Sequence, residues 1–138
     1  LGHDCFVGNH VVMANNATLA GHVIVEDHAV LGGLSAVHQF CHIGTHSFAS
    51  GGSMIAKDVP PYVKVSGYYA KPFGLNSVGL ARKGFSSERL AQIKKIYKII
   101  YRQNLTAKEA IESIKALDYE DAPIFLNILE KSERGIVR

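Results

Sequence analysis

The 138-residue sequence is 47% hydrophobic and carries a formal net charge of +3 with its seven histidines neutral. This apolar content is sufficient for the core of one modest domain, or of one domain with an appendage. No apolar run approaches the roughly 20 residues that a membrane-spanning helix requires, so the sequence predicts no transmembrane segment.

Charge is distributed unevenly along the chain. Residues 1–60 contain one basic side chain, Lys57, four acidic ones and all seven histidines. Residues 61–138 contain 14 basic against 8 acidic residues, a net charge of +6. This second half would attract phosphates or an acidic protein partner, unless its charges lie on a solvated helical surface.

The first 60 residues consist of ten consecutive six-residue units. The first position of each unit is aliphatic or small, and the fifth is small or β-branched. The first positions are Leu1, Val7, Met13, Leu19, Val25, Leu31, Val37, Ile43, Ala49 and Ile55. This repeat predicts a parallel β-helix in which three hexads make one triangular coil of 18 residues, with successive coils about 4.8 Å apart. We call this β-helix the prism.

Two further features of the prism follow from the repeat. Leu1 already occupies the inward position of a complete hexad, and an uncapped coil exposes unpaired strand edges, so we expect this chain to be the C-terminal piece of a longer one. Cys5 and Cys41 lie two coils apart, about 10 Å, which is too far for a disulfide. We therefore expect two reduced core cysteines and a cytoplasmic protein.

The hexad rhythm fails at Pro60 and Pro61, because proline cannot donate to a strand ladder. We predict the prism over residues 1–60, a connecting segment that forms an extended loop over 61–85, and a helical domain over 86–138. Its first helix should follow the cap candidates Ser86 and Ser87. Thr106 and Glu109 form a capping box for the second. The third should begin near Asp121.

The 18-residue coil places certain polar residues in columns. His3, Gly21 and Gln39 share one column, Asp4, His22 and Phe40 share the next, and His38 lies on the same edge. A neutral imidazole can remove a proton from an attacking hydroxyl, a carboxylate can hold its tautomer, and a glycine N–H can stabilise an oxyanion. The edge therefore suits acyl transfer by general base catalysis, with satisfied structural histidines as the alternative.

A second column contains His10, His28 and His46, all at the fourth position of their hexads. A ladder with steps of roughly 5 Å does not converge on a single zinc ion, whose bonds to nitrogen are about 2.0 to 2.1 Å long. We therefore predict no metal there and interpret these histidines as solvated corner residues.

Several stretches closely resemble the UDP-N-acetylglucosamine O-acyltransferase family of lipid A biosynthesis. The stretches are Gly2-His3-Asp4-Cys5, residues 14–22, residues 36–41, Asp58-Val59-Pro60-Pro61-Tyr62-Val63, Arg82-Lys83-Gly84-Phe85-Ser86 and Arg134-Gly135-Ile136. The resemblance runs the full length of the chain and covers roughly half of the family's length. It implies a left-handed parallel β-helix followed by a small C-terminal helical domain.

The resemblance also implies an activity. The family catalyses the first step of lipid A biosynthesis, in which an R-3-hydroxyacyl chain moves from acyl carrier protein to the 3-hydroxyl of UDP-N-acetylglucosamine. It implies a cytoplasmic homotrimer with active sites between prisms, no nucleic-acid partner, and no cofactor beyond the phosphopantetheine of the carrier protein.

Residue roles follow from matching motifs. The resemblance implies that His3 is the general base, that Asp4 orients it and that Gly21 presents the oxyanion N–H. His22, His38 and Gln39 would line the substrate clefts, and Asn76 and Arg82 would lie on the nucleotide side. Gly51 matches the family's acyl-chain ruler, the position at which a bulky side chain would shorten the groove for the acyl chain. Because glycine has no side chain, the resemblance implies that longer acyl chains are accepted.

Two departures from the family pattern matter. Lys83 stands where an arginine is common. The N-terminal coils that complete each cleft in the family are not in this sequence, so the chain alone would be inactive if those coils are required.

The alternatives are N-acyl transfer to an amino sugar nucleotide, a zinc-dependent hexapeptide carbonic anhydrase and a noncatalytic trimeric scaffold.

Overall fold

The computed structural model describes residues 1–138. One two-residue strand spans each junction between successive hexads, so the ten hexads give nine strands along the prism. They are β1 (Phe6–Val7), β2 (Val12–Met13), β3 (Thr18–Leu19), β4 (Ile24–Val25), β5 (Val30–Leu31), β6 (Ala36–Val37), β7 (His42–Ile43), β8 (Phe48–Ala49) and β9 (Met54–Ile55). The six-residue period of the sequence is therefore also the period of the strands.

The nine strands form the three faces of the prism. One sheet has the order β1-β4-β7, a second contains β2, β5 and β8, and the third has the order β3-β6-β9. All of these pairs are parallel and join residues 18 apart, such as Phe6 with Ile24 and Ile24 with His42. The predicted 18-residue coil and its columns are therefore confirmed.

The prism interior is filled by the first and fifth hexad positions. Leu19, Val25, Leu31 and Ile43 are all at most 2% exposed. The fifth position also accepts serine, because each buried hydroxyl donates to the carbonyl three residues earlier, as from Ser47 to Gly44 at 2.7 Å. This local bond satisfies a polar group inside the core.

Both cysteines are free, as predicted. Cys41 is fully buried, and burial together with the nearby Asp58 carboxylate raises the pKa of its thiol to about 11. Because the thiolate is the reactive form of cysteine, Cys41 is an inert core residue.

The backbone turns at the fourth position of the hexads, where φ is positive. Nine fourth-position residues adopt this left-handed conformation: Asp4, His10, Asn16, His22, His28, Leu34, Phe40, His46 and Gly52. The second position has a different role, since a Cβ added at Gly2 would lie 2.5 Å from the carbonyl carbon of Ala20. Small residues at the second position of the hexads therefore allow adjacent coils to approach each other closely.

The strand ladder extends beyond the predicted boundary at residue 60. Strand β10 (Val63–Ser66) pairs in parallel with β8, then the chain returns in antiparallel pairing as β11 (Lys71–Leu75). The short helix α1 (Ser77–Arg82) follows. The expectation of an extended loop over 61–85 is wrong, because Pro60 and Pro61 precede β10 and leave its ladder positions free to pair.

The three predicted helices are confirmed as α2 (Ser87–Tyr101), α3 (Ala107–Lys115) and α4 (Ala122–Lys131). Ser86 caps α2 by accepting from the Arg89 N–H, and the Thr106–Glu109 capping box opens α3. Ile93, Ile114 and Phe125 are fully buried in the second core that these helices form.

The C-terminal tail ties the helices to the prism. Asp58 donates its N–H to the carbonyl of Gly135 at 3.0 Å and accepts from the Val137 N–H at 2.9 Å. Val137 then packs into the prism core together with Tyr97 of α2. The tail thus closes the last coil.

Candidate active site

Each corner of the prism carries a different set of side chains. The His3 edge consists of His3, Asp4, Gly21, His22, His38, Gln39 and Phe40. The histidine ladder consists of His10, His28 and His46. The glycine corner consists of Gly33, Gly51 and Gly52 with Leu34. The register of the strands fixes this separation, because each corner connects a different pair of sheets.

His3 and Asp4 form a hydrogen-bonded pair at the solvent-exposed start of the His3 edge. Nδ1 of His3 lies 3.0 Å from Oδ2 of Asp4, and the two side chains are 76% and 69% exposed. Because a carboxylate accepts hydrogen bonds, this contact places the proton of neutral His3 on Nδ1. Nε2 is then left with its lone pair free, which is the state that a general base requires.

His22 also lies beside Asp4, one coil further along. Its Nε2 is 3.8 Å from Asp4 Oδ2, and its ring meets the His3 ring edge-on with centroids 4.9 Å apart. Phe40 stacks on the opposite face of His22 at 4.7 Å. Packing between Phe40 and His3 thus fixes the imidazole of His22 close to the proposed base.

Gly21 lies directly beside the ring of His3. A Cβ added at Gly21 would lie 2.9 Å from Nε2 and 3.1 Å from Cε1 of His3. The Gly21 N–H makes no hydrogen bond within the chain. A free backbone donor next to a free imidazole nitrogen is the pair of groups that acyl transfer through a tetrahedral intermediate requires.

His38 and Gln39 continue the same edge. Nδ1 of the half-buried His38 lies 3.2 Å from the carbonyl oxygen of Gln39, so Nδ1 of neutral His38 carries its proton and Nε2 is free to accept. The carboxamide of Gln39 is exposed one coil above Gly21, a position fixed by the hydrogen bond from the Phe40 N–H to the Gly21 carbonyl. The structure therefore confirms the predicted columns on this edge.

Three predicted site residues lie elsewhere on the chain. Asn76 belongs to the histidine-ladder corner, where its Nδ2 donates to the His46 carbonyl at 3.1 Å. Arg82 is exposed at the end of α1 and forms no ion pair, and Gly51 is exposed at the glycine corner. Within one chain the structure does not bring these residues to the His3 edge.

The histidine ladder is only partly solvated. Its rings stack at 4.9 Å between His10 and His28 and at 4.5 Å between His28 and His46. His10 is exposed, but Tyr62 and Phe85 pack against His46 at centroid distances of 5.8 Å and 5.2 Å. Burial, with the positive charges of Lys83 and Arg89 adding to it, lowers the pKa of His46 to about 4. The interpretation of His46 as a solvated residue is wrong.

A buried ionic network supports this contact and was not predicted. Asp121 is completely buried, accepts from the Tyr62 hydroxyl at 2.6 Å and binds Arg89 through two hydrogen bonds of 2.9 Å. Arg89 also lies over the ring of Phe85 at 3.9 Å. The network joins the last turn of the prism to the helices. Its residues are far apart in the sequence, so no local sequence pattern predicts their contact.

Two other features bear on ligands. The ladder nitrogens do not converge, whereas His3, Asp4 and His22 are the one group of three metal-capable side chains whose ligand atoms all lie within 4.8 Å of one another. A cavity of about 550 Å³ lies beside Phe40 and is also lined by Ile24, His42, Asp58 and residues 131–134.

None of the helices is both long and apolar enough to cross a membrane.

Comparison with known proteins decides the family. The profile of the family described as Udp N-acetylglucosamine O-acyltransferase, Domain 2, matches residues 58–137, more than half of the chain. The chain belongs to the UDP-N-acetylglucosamine O-acyltransferase family. Members of this family with solved structures have the same fold, so the left-handed parallel β-helix that the resemblance implied is confirmed.

Individual members of the O-acyltransferase family support this assignment. The acyl-[acyl-carrier-protein]–UDP-N-acetylglucosamine O-acyltransferase of Aliivibrio salmonicida is 49% identical over 100% of this chain and 53% of its own length. LpxA from Acinetobacter baumannii is 45% identical with a TM-score of 0.95, over 99% of this chain and 54% of its own. The Francisella novicida acyltransferase is 42% identical, also with a TM-score of 0.95, over 100% and 51%. The chain thus spans about half the length of the relatives it matches.

Proposed function

We propose that the protein containing this chain transfers an R-3-hydroxyacyl group from acyl carrier protein to the 3-hydroxyl of UDP-N-acetylglucosamine, the first step of lipid A biosynthesis. Family membership supports the reaction class, and the relative from Aliivibrio salmonicida is named for these two substrates. The observation that carries the proposal is the position of His3, with Nδ1 held by Asp4 and Nε2 beside Gly21.

In the proposed reaction, Nε2 of His3 removes the proton of the sugar hydroxyl as the hydroxyl oxygen attacks the thioester carbonyl carbon. The negative charge that develops on the carbonyl oxygen is stabilised by the N–H of Gly21. When the tetrahedral intermediate collapses, the C–S bond breaks and the imidazolium of His3 returns the proton to the departing thiolate. Asp4 stabilises that imidazolium through its 3.0 Å hydrogen bond.

The remaining residues bind substrates in this proposal. His22, His38 and Gln39 continue the His3 edge and would contact the acceptor and donor. Asn76 and Arg82 would contact the nucleotide, where the guanidinium of Arg82 is free to bind phosphate because it forms no ion pair. Gly51 would mark the end of the groove for the acyl chain.

A homotrimer is part of the proposal. The His3 edge, the ladder corner with Asn76 and the glycine corner with Gly51 point away from the prism in three different directions. Packing prisms side by side around a threefold axis would bring one corner of each chain against another corner of its neighbour. This arrangement would bring together residues that lie apart on a single chain.

The proposed reaction requires no metal and no organic cofactor beyond the phosphopantetheine of the carrier protein, because the base and the oxyanion donor come from the chain itself. We place the reaction in the reducing cytoplasm. The two free cysteines, one of them fully buried, are compatible with that compartment.

The test is a His3→Ala variant of the full-length protein, assayed with acyl carrier protein thioester and UDP-N-acetylglucosamine. Loss of the base is expected to lower kcat by about 10² to 10⁴-fold. His10→Ala is the matched control, because His10 is also exposed but lies on the ladder corner. Turnover near that of the wild type in His3→Ala would remove His3 as the base. An amino sugar nucleotide as a parallel acceptor separates O-acyl from N-acyl transfer.

A further inference from the structure

A cavity of about 330 Å³ lies where the end of the prism, the β10–β11 hairpin and the C-terminal tail meet. Three of its lining side chains are cations, namely Lys57, Lys71 and Arg138. The others are the ring of Tyr69 and three small or aliphatic residues, and no acidic side chain is among them. The cavity therefore combines concentrated positive charge with apolar walls.

The positive charges of this cavity have no partner in the chain. The six ion pairs of the structure involve none of the three cations. Arg138 is held in place by a 3.4 Å hydrogen bond from Nη1 to the carbonyl of Ile100, which leaves its other guanidinium nitrogens free. Three like charges around one cavity repel each other, and an anion bound among them would relieve that repulsion.

The cavity lies at the end of the His3 edge. Leu19 pairs with Val37 and Val37 pairs with Ile55, so the register stacks these residues along one column. Lys57 follows Ile55 by two residues, as Gln39 follows Val37 and Gly21 follows Leu19. Lys57 is thus about 14 Å from His3 along the prism axis, a distance of three coils. His38 and Gln39 lie between the base and the cavity.

We propose that Lys57, Lys71 and Arg138 form a binding site for a phosphate group, and that this phosphate is the phosphodiester that attaches the pantetheine arm to the carrier protein. The choice of ligand rests on the proposed function. The thioester end of the arm must reach His3 and Gly21, while its phosphate lies at the far end of a long flexible chain. The separation of about three coils fits such a ligand.

The chemistry of the arm fits the cavity walls as well. The phosphate of phosphopantetheine is followed closely by a carbon that bears two methyl groups, so an anionic group and a bulky apolar group lie side by side. The cations of the cavity would bind the phosphate, and Tyr69 with the aliphatic wall would contact the two methyl groups. The diphosphate of the nucleotide is a poorer match, because it is attached to the same sugar ring whose hydroxyl must lie at His3.

The experiment compares two small acyl donors on the full-length protein, acyl-phosphopantetheine and acyl-pantetheine, with Lys57→Gln/Lys71→Gln as the test variant. We expect kcat/KM for the phosphorylated donor to fall about tenfold, since two charge contacts are lost. The value for the donor without phosphate should stay within twofold of the wild type, and KM for UDP-N-acetylglucosamine should not change. Lys94→Gln/Lys108→Gln, two exposed helix lysines, controls for the change in net charge.

Two results would overturn the site. Equal losses with both donors would mean that the lysines do not recognise the phosphate, and a rise confined to KM for UDP-N-acetylglucosamine would assign the cations to the nucleotide. Calorimetric titration with phosphopantetheine and with pantetheine tests binding without turnover. If wild-type protein transfers no acyl group but binds phosphopantetheine more tightly than pantetheine through these lysines, the proposed function fails while the phosphate site stands.

Discussion

A Cβ atom at Gly21 would lie 2.9 Å from Nε2 of His3, closer than the two atoms can approach without movement. The contact involves the far end of an exposed side chain, because His3 is 76% exposed and its ring can rotate away. The backbone of Gly21 does not have the positive φ that excludes alanine. Gly21 therefore matters for where His3 lies more than for whether the prism folds.

Gly21→Ala should lower the rate of the proposed acyl transfer by the full-length protein about 10²-fold while leaving the protein folded. The new methyl group displaces the imidazole of His3 from the proposed oxyanion donor, and a misplacement of about 1 Å can cost about 10²-fold in rate. Thermal unfolding should change little. The measurement is kcat together with the melting temperature, and wild-type turnover in a folded Gly21→Ala protein would contradict the proposed position of the reacting atoms.

Gly51→Met should shift the proposed acyl transfer by the full-length protein toward shorter acyl donors. Gly51 is exposed at the glycine corner, and its Cβ would lie 3.2 Å from the carbonyl oxygen of Gly33, a tight contact that small backbone movement relieves. The methionine would then extend into the proposed acyl groove. Competition among donors of different chain length measures the effect, Gly51→Ala is the control for the backbone contact, and an unchanged profile would argue against a ruler at this position.

The sequence predicted the repeat and the columns because both depend on a fixed period. Once 18 residues make a coil, His22 must follow Asp4 along the axis, and the structure places their side chains 3.8 Å apart. Helix caps at Ser86 and Thr106 are equally local and were predicted. The β10–β11 hairpin was not, since Pro61 and Gly67 indicate a loop when no ladder partner is known, and β8 supplies that partner.

Side-chain environments that depend on contacts between distant segments of the chain could not be predicted from the sequence. His46 occupies the same hexad position as the exposed His10, and only packing by Tyr62 and Phe85 distinguishes them. Likewise, Asp121 is a helix-start signal in the sequence, whereas in the structure it is a buried ligand of Arg89. Tertiary contacts, rather than residue type, decide these environments.

Asp121→Ala should destabilise the attachment of the helices to the prism. The substitution removes both hydrogen bonds to Arg89 and the one from Tyr62, and leaves the partly buried guanidinium with only the exposed Glu120 carboxylate, 3.5 Å away. Removing one partner of a buried ion pair costs roughly 3–5 kcal/mol. Urea unfolding followed by the circular dichroism of the helices should show the loss. Tyr62→Phe, which removes one bond, should cost about 1 kcal/mol, and equal stability of Asp121→Ala and wild type would contradict the role of the network.

His46 should make the stability of the protein depend on pH in the mildly acidic range. Its pKa is about 4 in the folded protein against an ordinary value of 6.5, because burial and the neighbouring His28, Lys83 and Arg89 disfavour the charged form more than Asp121 favours it. Between these values the unfolded chain binds a proton that the folded protein does not. The free energy of unfolding that this group contributes is therefore constant above pH 6.5 and decreases as the pH falls from 6.5 toward 4.

The test compares urea unfolding of wild type, His46→Phe and His10→Phe across that pH range. Phenylalanine can retain the stacking with Tyr62 and Phe85 but cannot be protonated, so His46→Phe should lose much less stability than wild type between pH 6.5 and 4. His10→Phe should follow wild type, because His10 is exposed at the other end of the ladder. The Glu109 carboxylate, whose pKa is lowered from 4.5 by hydrogen bonds at the Thr106 cap, begins to lose its contribution below about pH 4.5, but it does so equally in all three proteins because neither substitution changes that cap. Parallel pH profiles for wild type and His46→Phe would show that the buried imidazole does not control acid stability.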